Sequence, residues 1–338
     1  GMGSSAFAIG SDGVEKWRTP LGNVGTLDQG GVVIGLDGSI IVTVKRAPGE
    51  ATGGIISLSP GGAIQWHYGI AEDVSGCAAI DQAGNIHFGT QSGNYYIIKP
   101  EESDEQLILK KDLAALISES DSPLKGESLW TSADGDAPSG NTHTTPSIEI
   151  NGTIYVGTGD TSGKVGRVYA INPDGSKKWL VAGDAENGFW NKGKASTPRI
   201  NYLTCAIGEN HVYMGNGGST GSVLAVDKVT GYRVGYVANA DNSGGPSGGV
   251  SAGIVLANNT LVWGGGKNGL FGASASALNA GGNVMWAWQV FSSGDDKPSE
   301  NMNGSPAVDE VGTIYGTATF AGMGSSAFAI GSDGVEKW

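Results

Sequence analysis

Thr153-Ile154-Tyr155-Val156-Gly157, followed by Val168-Tyr169-Ala170-Ile171-Asn172-Pro173-Asp174-Gly175-Ser176-Lys177-Lys178-Trp179, is the stretch that decides the fold. Its short runs of β-branched and aromatic residues read as strands. Asn172-Pro173-Asp174-Gly175 reads as a tight turn in which glycine supplies a positive φ at low steric cost. The same order of small apolar strand, turn, and strand carrying tryptophan returns along the chain. Its turn glycines are Gly13, Gly62, Gly175, Gly231, Gly282 and Gly334, spaced by 49, 113, 56, 51 and 52 residues, with 113 spanning two units. A second series of short turns precedes each one: Asp37-Gly38, Ala83-Gly84, Asn151-Gly152, Glu209-Asn210, Asn258-Asn259 and Val311-Gly312. These read as two-residue hairpin turns.

Each unit is therefore four strands, A to D, over about 50 residues. The blades fall at 31–68, 76–110, 143–182, 197–238, 250–290 and 304–338. A four-stranded unit cannot cover both of its faces, so such units must pack on one another radially. The sequence predicts an all-β chain, a β-propeller of six four-stranded blades forming one domain over 1–338. The stretch 111–142 interrupts the pattern as an insertion, with a short helix expected over Asp112-Leu113-Ala114-Ala115-Leu116-Ile117 and a polar loop after it.

Residues 1–17 (GMGSSAFAIGSDGVEKW) are identical to residues 322–338. Both copies read as strands C and D of a closing blade. The C-terminal copy completes the last blade, and the N-terminal copy could complete the same blade by pairing with its strands A and B. Two copies then compete for one slot, so that the surplus copy hangs free, begins a partial seventh blade, or pairs with a neighbouring molecule through an open edge. A monomer is otherwise expected.

Composition narrows the function classes. Glycine contributes 59 of 338 residues, well above the usual share of about 7%. The 39% hydrophobic content and 26 aromatics (Trp 9, Tyr 10, Phe 7) suffice for a large core. A net charge of −13 with no basic stripe argues against nucleic acid as a partner. No apolar run approaches the roughly 20 residues that span a bilayer, so no membrane insertion is expected. Cys77 and Cys205, both in apolar strand-like runs, are too few for a disulfide framework and are expected as buried thiols.

The loops are lopsided. The A–B and C–D connections are short, apart from Pro100–Glu105 in blade two. The D–A connections (111–142, 183–196, 239–249, 291–303) and B–C connections (45–53, 159–166, 264–272) are long, and both emerge at one end of the blades. Binding residues concentrate on long loops over a rigid scaffold. The candidate ligand-binding residues there are Trp130, His143, Phe189, Trp190, Asn191, Lys192, Asn242, Asn301 and Asn303. Trp130, Phe189 and Trp190 stand outside the repeated strand-D position of Trp17, Trp66, Trp179, Trp286 and Trp338, which reads as packing between blades. Exposed indoles with amide donors suit a glycan or a protein ligand. Asp134, Asp136 and Asn141 offer closely spaced oxygen ligands of the kind calcium takes, without the twelve-residue loop that ends in glutamate. No catalytic set emerges: His67, His87, His143 and His211 are scattered, with no pair at zinc-ligand spacing.

The text of the repeat, in 153–179 and again in Ser305-Pro306-Ala307-Val308 with Thr313-Ile314-Tyr315-Gly316, resembles that of the PQQ-like, quinoprotein-type propellers. The resemblance covers most of the chain and implies the propeller fold. It raises a PQQ-dependent dehydrogenase as a reading. Those enzymes have eight blades, adjacent cysteines near the quinone and a Glu/Asn/Asp calcium set, and none of these finds matching positions here. PQQ is therefore not expected, and calcium is the one cofactor with a candidate site. The reading reached is a non-catalytic binding or adhesion propeller of an exported, periplasmic or cell-surface bacterial protein, recognising glycan or protein through the D–A/B–C end. The alternatives are an enzyme, polysaccharide-degrading or dehydrogenase-like, and a scaffold of an envelope assembly.

Overall fold

In the computed structural model the described residues are 4–10, 14–21, 31–46, 49, 52–74, 76–101, 106–113, 144–158, 167–182, 204–215, 222–231, 233–238, 250–265, 269–280, 286–288, 305–320, 324–333 and 335–337. A leading hairpin pairs β1 (Ser5–Ile9) with β2 (Glu15–Pro20). Blade one is β3 (Val32–Ile34), β4 (Ile40–Val44), β5 (Gly53–Leu58) and β6 (Ile64–Ile70). Blade two is β7 (Ala79–Ile80), β8 (Ile86–Gly89), β9 (Asn94–Ile98) and β10 (Leu107–Asp112), and blade three is β11 (Ser147–Ile148), β12 (Ile154–Thr158), β13 (Arg167–Ile171) and β14 (Lys177–Ala182). Blade four is β15 (Ala206–Ile207), β16 (His211–Gly215), β17 (Ser222–Asp227) and β18 (Arg233–Ala238). Blade five is β19 (Val250–Ala257), β20 (Thr260–Gly265), β21 (Gly269–Ser274) and β22 (Trp286–Trp288), and the last sheet is β23 (Ala307–Val308), β24 (Ile314–Phe320) and β25 (Gly324–Ile330).

Five sheets are four-stranded in sequential order, as the repeat predicts. The last differs. Its strand C is β25, and among the described residues strand D is reduced to an isolated bridge, Ile330 to Glu336. The leading copy makes a two-stranded sheet of its own.

Turn geometry corrects the hairpin reading. Gly38 N–H donates to Gly35 C=O (3.0 Å) while Gly35 N–H donates to Ser39 C=O (2.8 Å), and Gly84, Gly152 and Gly312 close their turns in the same way. These are three-residue loops in which only the glycine has a positive φ, 83–86°. A turn side chain accepts backbone N–H groups in each: Asp37 and Asn151 just before the glycine, the first from Ser39 at 2.9 Å and the second from Thr153 at 2.8 Å, and Asp81 and Asp309 at the start of the other two turns. Two of the series are two-residue turns as read: Glu209-Asn210, closed by Gly208 N–H donating to His211 C=O at 2.8 Å, and Asn258-Asn259, with φ of 47° and 65° inside the Ala257–Thr260 pair.

Other expectations are revised. Asp112 ends β10 instead of opening a helix, because it continues the ladder against Asn94; 114–120 lie outside the described residues. The B–C connection of blade five shrinks to three residues, since β20 and β21 pair out to Gly265 and Gly269. Its C–D connection gains a short 3-10 helix, Ala277–Ala280. Cys205 is buried, which pushes its thiol up to about 12, but Cys77 is only half-buried, beside Gly31.

The contacts divide the chain into two compact units, one within 1–121, 135–159 and 169–178, the other within 122–134, 160–168 and 179–338. In the first, β3, β7 and β11 contact in sequence. Ile41, Ile55, Trp66, Phe88, Tyr96 and Ile98 belong to a core formed between blades one and two. A second core joins Ala6, Leu21 and Trp17 of the leading hairpin to Val42, Val44, Ile56 and Leu58 of blade one. The Trp17 indole N–H donates to Pro60 C=O at 2.9 Å, and the ring lies over Gly62, where a Cβ would come within 2.5 Å of it. Leu109 takes the same place against Gly175. In the second unit, β15, β19 and β23 contact in sequence, and Trp179 repeats the lock over Gly231, donating to Lys228 C=O at 2.9 Å. Trp263 on β20 is fully buried and stacked on Phe271 with centroids 5.9 Å apart.

Candidate functional site

The described D–A/B–C end of blades one and two carries the most organised polar group of the first unit. Glu72 follows β6 on the connection into blade two. Thr90 Oγ1 (2.5 Å), Asn94 Nδ2 (3.0 Å), Tyr96 OH (2.6 Å) and Lys110 Nζ (3.0 Å) all donate to its carboxylate. The sequence builds this cluster by simple rules. Asn94 and Tyr96 are two apart on β9 and so share a face. Lys110 stands opposite Tyr96 in the β9–β10 register, and its ammonium lies 5.2 Å from the Tyr96 ring centroid. Thr90 opens the B–C turn of blade two, where its N–H donates to Asn94 C=O at 2.9 Å.

The next residue points the other way. Asp73 accepts from the Arg46 guanidinium at 2.9 and 3.3 Å and from the Arg46 backbone N–H at 3.2 Å, while its C=O accepts the Gln91 N–H at 2.9 Å. Glu72 and Asp73 thus clamp one D–A connection to the B–C segments of both neighbouring blades.

Burial pushes the Glu72 carboxyl up, but the four donors outweigh it and bring it from 4.5 down to about 2. Burial, then the bond to Glu72, push Tyr96 up to about 12, and contacts with Tyr96 and Glu72 raise the Lys110 ammonium. The Arg46 hydrogen bond lowers Asp73. A carboxylate so saturated is a poor proton acceptor at neutral pH. The cluster orders the loops and leaves Lys110 and Arg46 half-exposed, with the half-buried Tyr68 within reach of the Lys110 charge. His67, lowered by burial, has an Nε2 with no hydrogen-bond partner among the described residues.

A buried network marks the opposite end of blade two. Asp81 holds the A–B turn through the N–H groups of Ala83 and Asn85, bonds His87 Nε2 at 3.1 Å, and His87 Nδ1 meets Tyr95 OH at 2.8 Å. Burial lowers His87 despite Asp81 and raises Tyr95 well above its usual value. Tyr95 is fully buried, so this arrangement is structural.

In the second unit a shallow groove of about 330 Å³ lies among Val311, Gly312, Ser332, Asp333 and Val335. Where Pro60, Pro100 and Pro173 cover the A–B turn glycine of their own blades, the last sheet has Ser332.

Trp130, His143, Phe189, Trp190, Asn191, Lys192, Asn242, Asn301 and Asn303 all lie outside the described residues, as do Asp134, Asp136 and Asn141. The sequence reading chose the end of the blades that carries the Glu72 cluster but passed over Arg46, Glu72, Asp73, Asn94, Tyr96 and Lys110. The available signal was the Glu72-Asp73 pair at a blade junction, with polar residues alternating at 94 and 96 on a strand.

No protein-family model matches the sequence, and a search of curated proteins finds no relative. Solved structures do match. The chain is similar to BamB from Moraxella catarrhalis, with 13% identity, a TM-score of 0.52, and coverage of 98% of this chain and 94% of that one. It is also similar to the Dos1 propeller, with 7% identity, a TM-score of 0.58, and coverage of 96% and 70%. At such identities the likeness speaks for the fold, and with the sequential four-stranded sheets it makes the chain an all-β protein of propeller fold. Among the described residues no helix is long and apolar enough to cross a membrane.

Proposed function

We propose that the chain is a PQQ-like propeller acting as a non-catalytic binding module of an exported or cell-surface bacterial protein, recognising a glycan through the D–A/B–C end of its blades. The observation that carries the reading is the Glu72 cluster. A carboxylate satisfied by four donors and a neighbouring aspartate clamped by Arg46 make the described part of that end rigid, and neither carboxylate is left as a ready proton acceptor. Rigid, pre-organised surfaces suit recognition, because little ordering remains to be done on binding. Lys110, Arg46 and Tyr68 offer donors and an aromatic edge there, and Trp130 and Trp190 are the indoles assigned to the same end by the repeat.

The test is a thermal-shift panel of soluble polysaccharides on the full chain and on a Trp130→Ala/Trp190→Ala variant. A ligand at about 100 times its Kd adds about 2.7 kcal/mol, enough to move the melting point by degrees. The expected result is a shift with one polysaccharide class that the variant loses while keeping its own melting point. A silent panel, or a shift the variant keeps, overturns the reading. A second reading, a protein-docking scaffold of an envelope assembly, is favoured by a different observation. Leu36, Ile150 and Val311 on the A–B turns are largely exposed, aliphatic surface of the kind that protein contacts cover.

A further inference from the structure

The two copies of the 17-residue segment occupy different surroundings. Phe328 is 4% exposed and Ile330 fully buried, packed with Val262, Leu270 and Ile314. Their counterparts in the first copy, Phe7 and Ile9, are 51% and 57% exposed. The socket for the phenylalanine is specific. Phe328 pairs with Gly316 on β24, and a Cβ at 316 would lie 2.2 Å from the ring, so only glycine leaves room for it. Among the described residues β1 pairs only with β2, leaving its other edge open beside Phe7 and Ile9.

We infer that β24 is an exchange site, and that the β1–β2 hairpin of a second copy of this chain can take the place of β25 on it. The pairing is dictated residue by residue, because Ser5, Ala6, Phe7, Ala8 and Ile9 are the residues that stand at 326–330 in the register with Ala318, Thr317, Gly316, Tyr315 and Ile314. The residues brought to β24 are the same before and after, and the Arg18 guanidinium, 4.9 Å from the Phe7 ring centroid, must leave the ring for it to enter the socket. The incoming hairpin also brings β2, paired at five positions, where the resident copy, among the described residues, holds strand D by a single bridge. Trp17 would remain locked over Gly62 of its own chain, so the exchange joins one molecule's leading hairpin to another's last sheet. The contact is heterologous, head to tail, and adds copies in series. It is independent of any glycan ligand.

The experiment mixes two full-length variants, Ser5→Cys and Ala318→Cys, under mild oxidation and reads non-reducing gels. Because the cysteines are on different chains, only exchange between molecules can bring them together at the 5–318 pair. The expected result is a disulfide-linked dimer several-fold above that of either variant alone, abolished when Phe7→Asp is added to the Ser5→Cys chain. Phe7 is exposed in the single molecule, so that change leaves folding intact. No dimer above the level of the single variants overturns the inference. So does a Ser5→Cys/Ala318→Cys double variant that cross-links only within its own chain.

Discussion

One sequence of 17 residues, met twice in the same molecule, is buried in one place and half-exposed in the other. At 322–338 its strand C is sandwiched, with Phe328 and Ile330 in the apolar core of the last two sheets. At 1–17 the same strand is covered on one face only, where Ala6 and Trp17 meet blade one, while Phe7 and Ile9 look outward. Local propensity is held constant by identity, so everything that differs is the work of the neighbours. The strand text specifies a strand, and the adjacent blade decides whether it becomes core.

The largest expected effect tests that difference directly. Phe328→Ala should destabilise the chain by about 3–5 kcal/mol, the usual cost of emptying a buried aromatic site. Phe7→Ala should cost about 0.5 kcal/mol or less, as exposed positions do. Urea denaturation of both variants reads the gap, and equal losses would break the comparison. A smaller effect is expected from Gly62→Ala, which puts a Cβ into the Trp17 ring at a φ of +86°. A loss of roughly 2 kcal/mol, with faster hydrogen exchange in β1 and β2 and unchanged exchange in β25, would sharpen the contrast; parallel loosening of both copies would remove it. Acid should act on neither copy first. Glu72 titrates near 2 when folded and near 4.5 when not, so the unfolded chain binds the extra proton between those values. Its contribution is full above about pH 4.5 and is lost as pH falls toward 2, roughly 1–2 kcal/mol after allowing for solvent screening. Exchange protection at pH 3 should therefore fall around 72, 90–96 and 110 before it falls in β25, and the reverse order would contradict the assignment.

What the sequence made legible was what repeats. Gly38, Gly62, Gly84, Gly152, Gly175, Gly231 and Gly312 all have the positive φ their turns were read as needing, and the strands between them follow. Trp17 and Trp179 lock neighbouring blades because the same spacing presents the same indole to the same turn. The Glu72 cluster was not legible, since its donors lie 18 to 38 residues away and each looks ordinary in its own strand. Nor could the exposure of Phe7 be separated from the burial of Phe328, because the two share identical text. Distance along the chain hides what a fold brings together, and identity hides what it sets apart.

The indole locks also fix how stability is shared. Trp17 and Trp179 each tie one blade to the next in sequence by packing and by one hydrogen bond to a turn carbonyl. Leu109 fills the same position against Gly175 but has no N–H to give. In an array whose units are coupled mainly to nearest neighbours, each interface contributes its own cooperativity, and the weakest one sets where a folded domain divides under load. The aliphatic joint between blades two and three is short of an indole-bonded one by about one hydrogen bond, on the order of 1 kcal/mol. Of the three described locks, the one made by leucine is thus the joint at which such an array would part first.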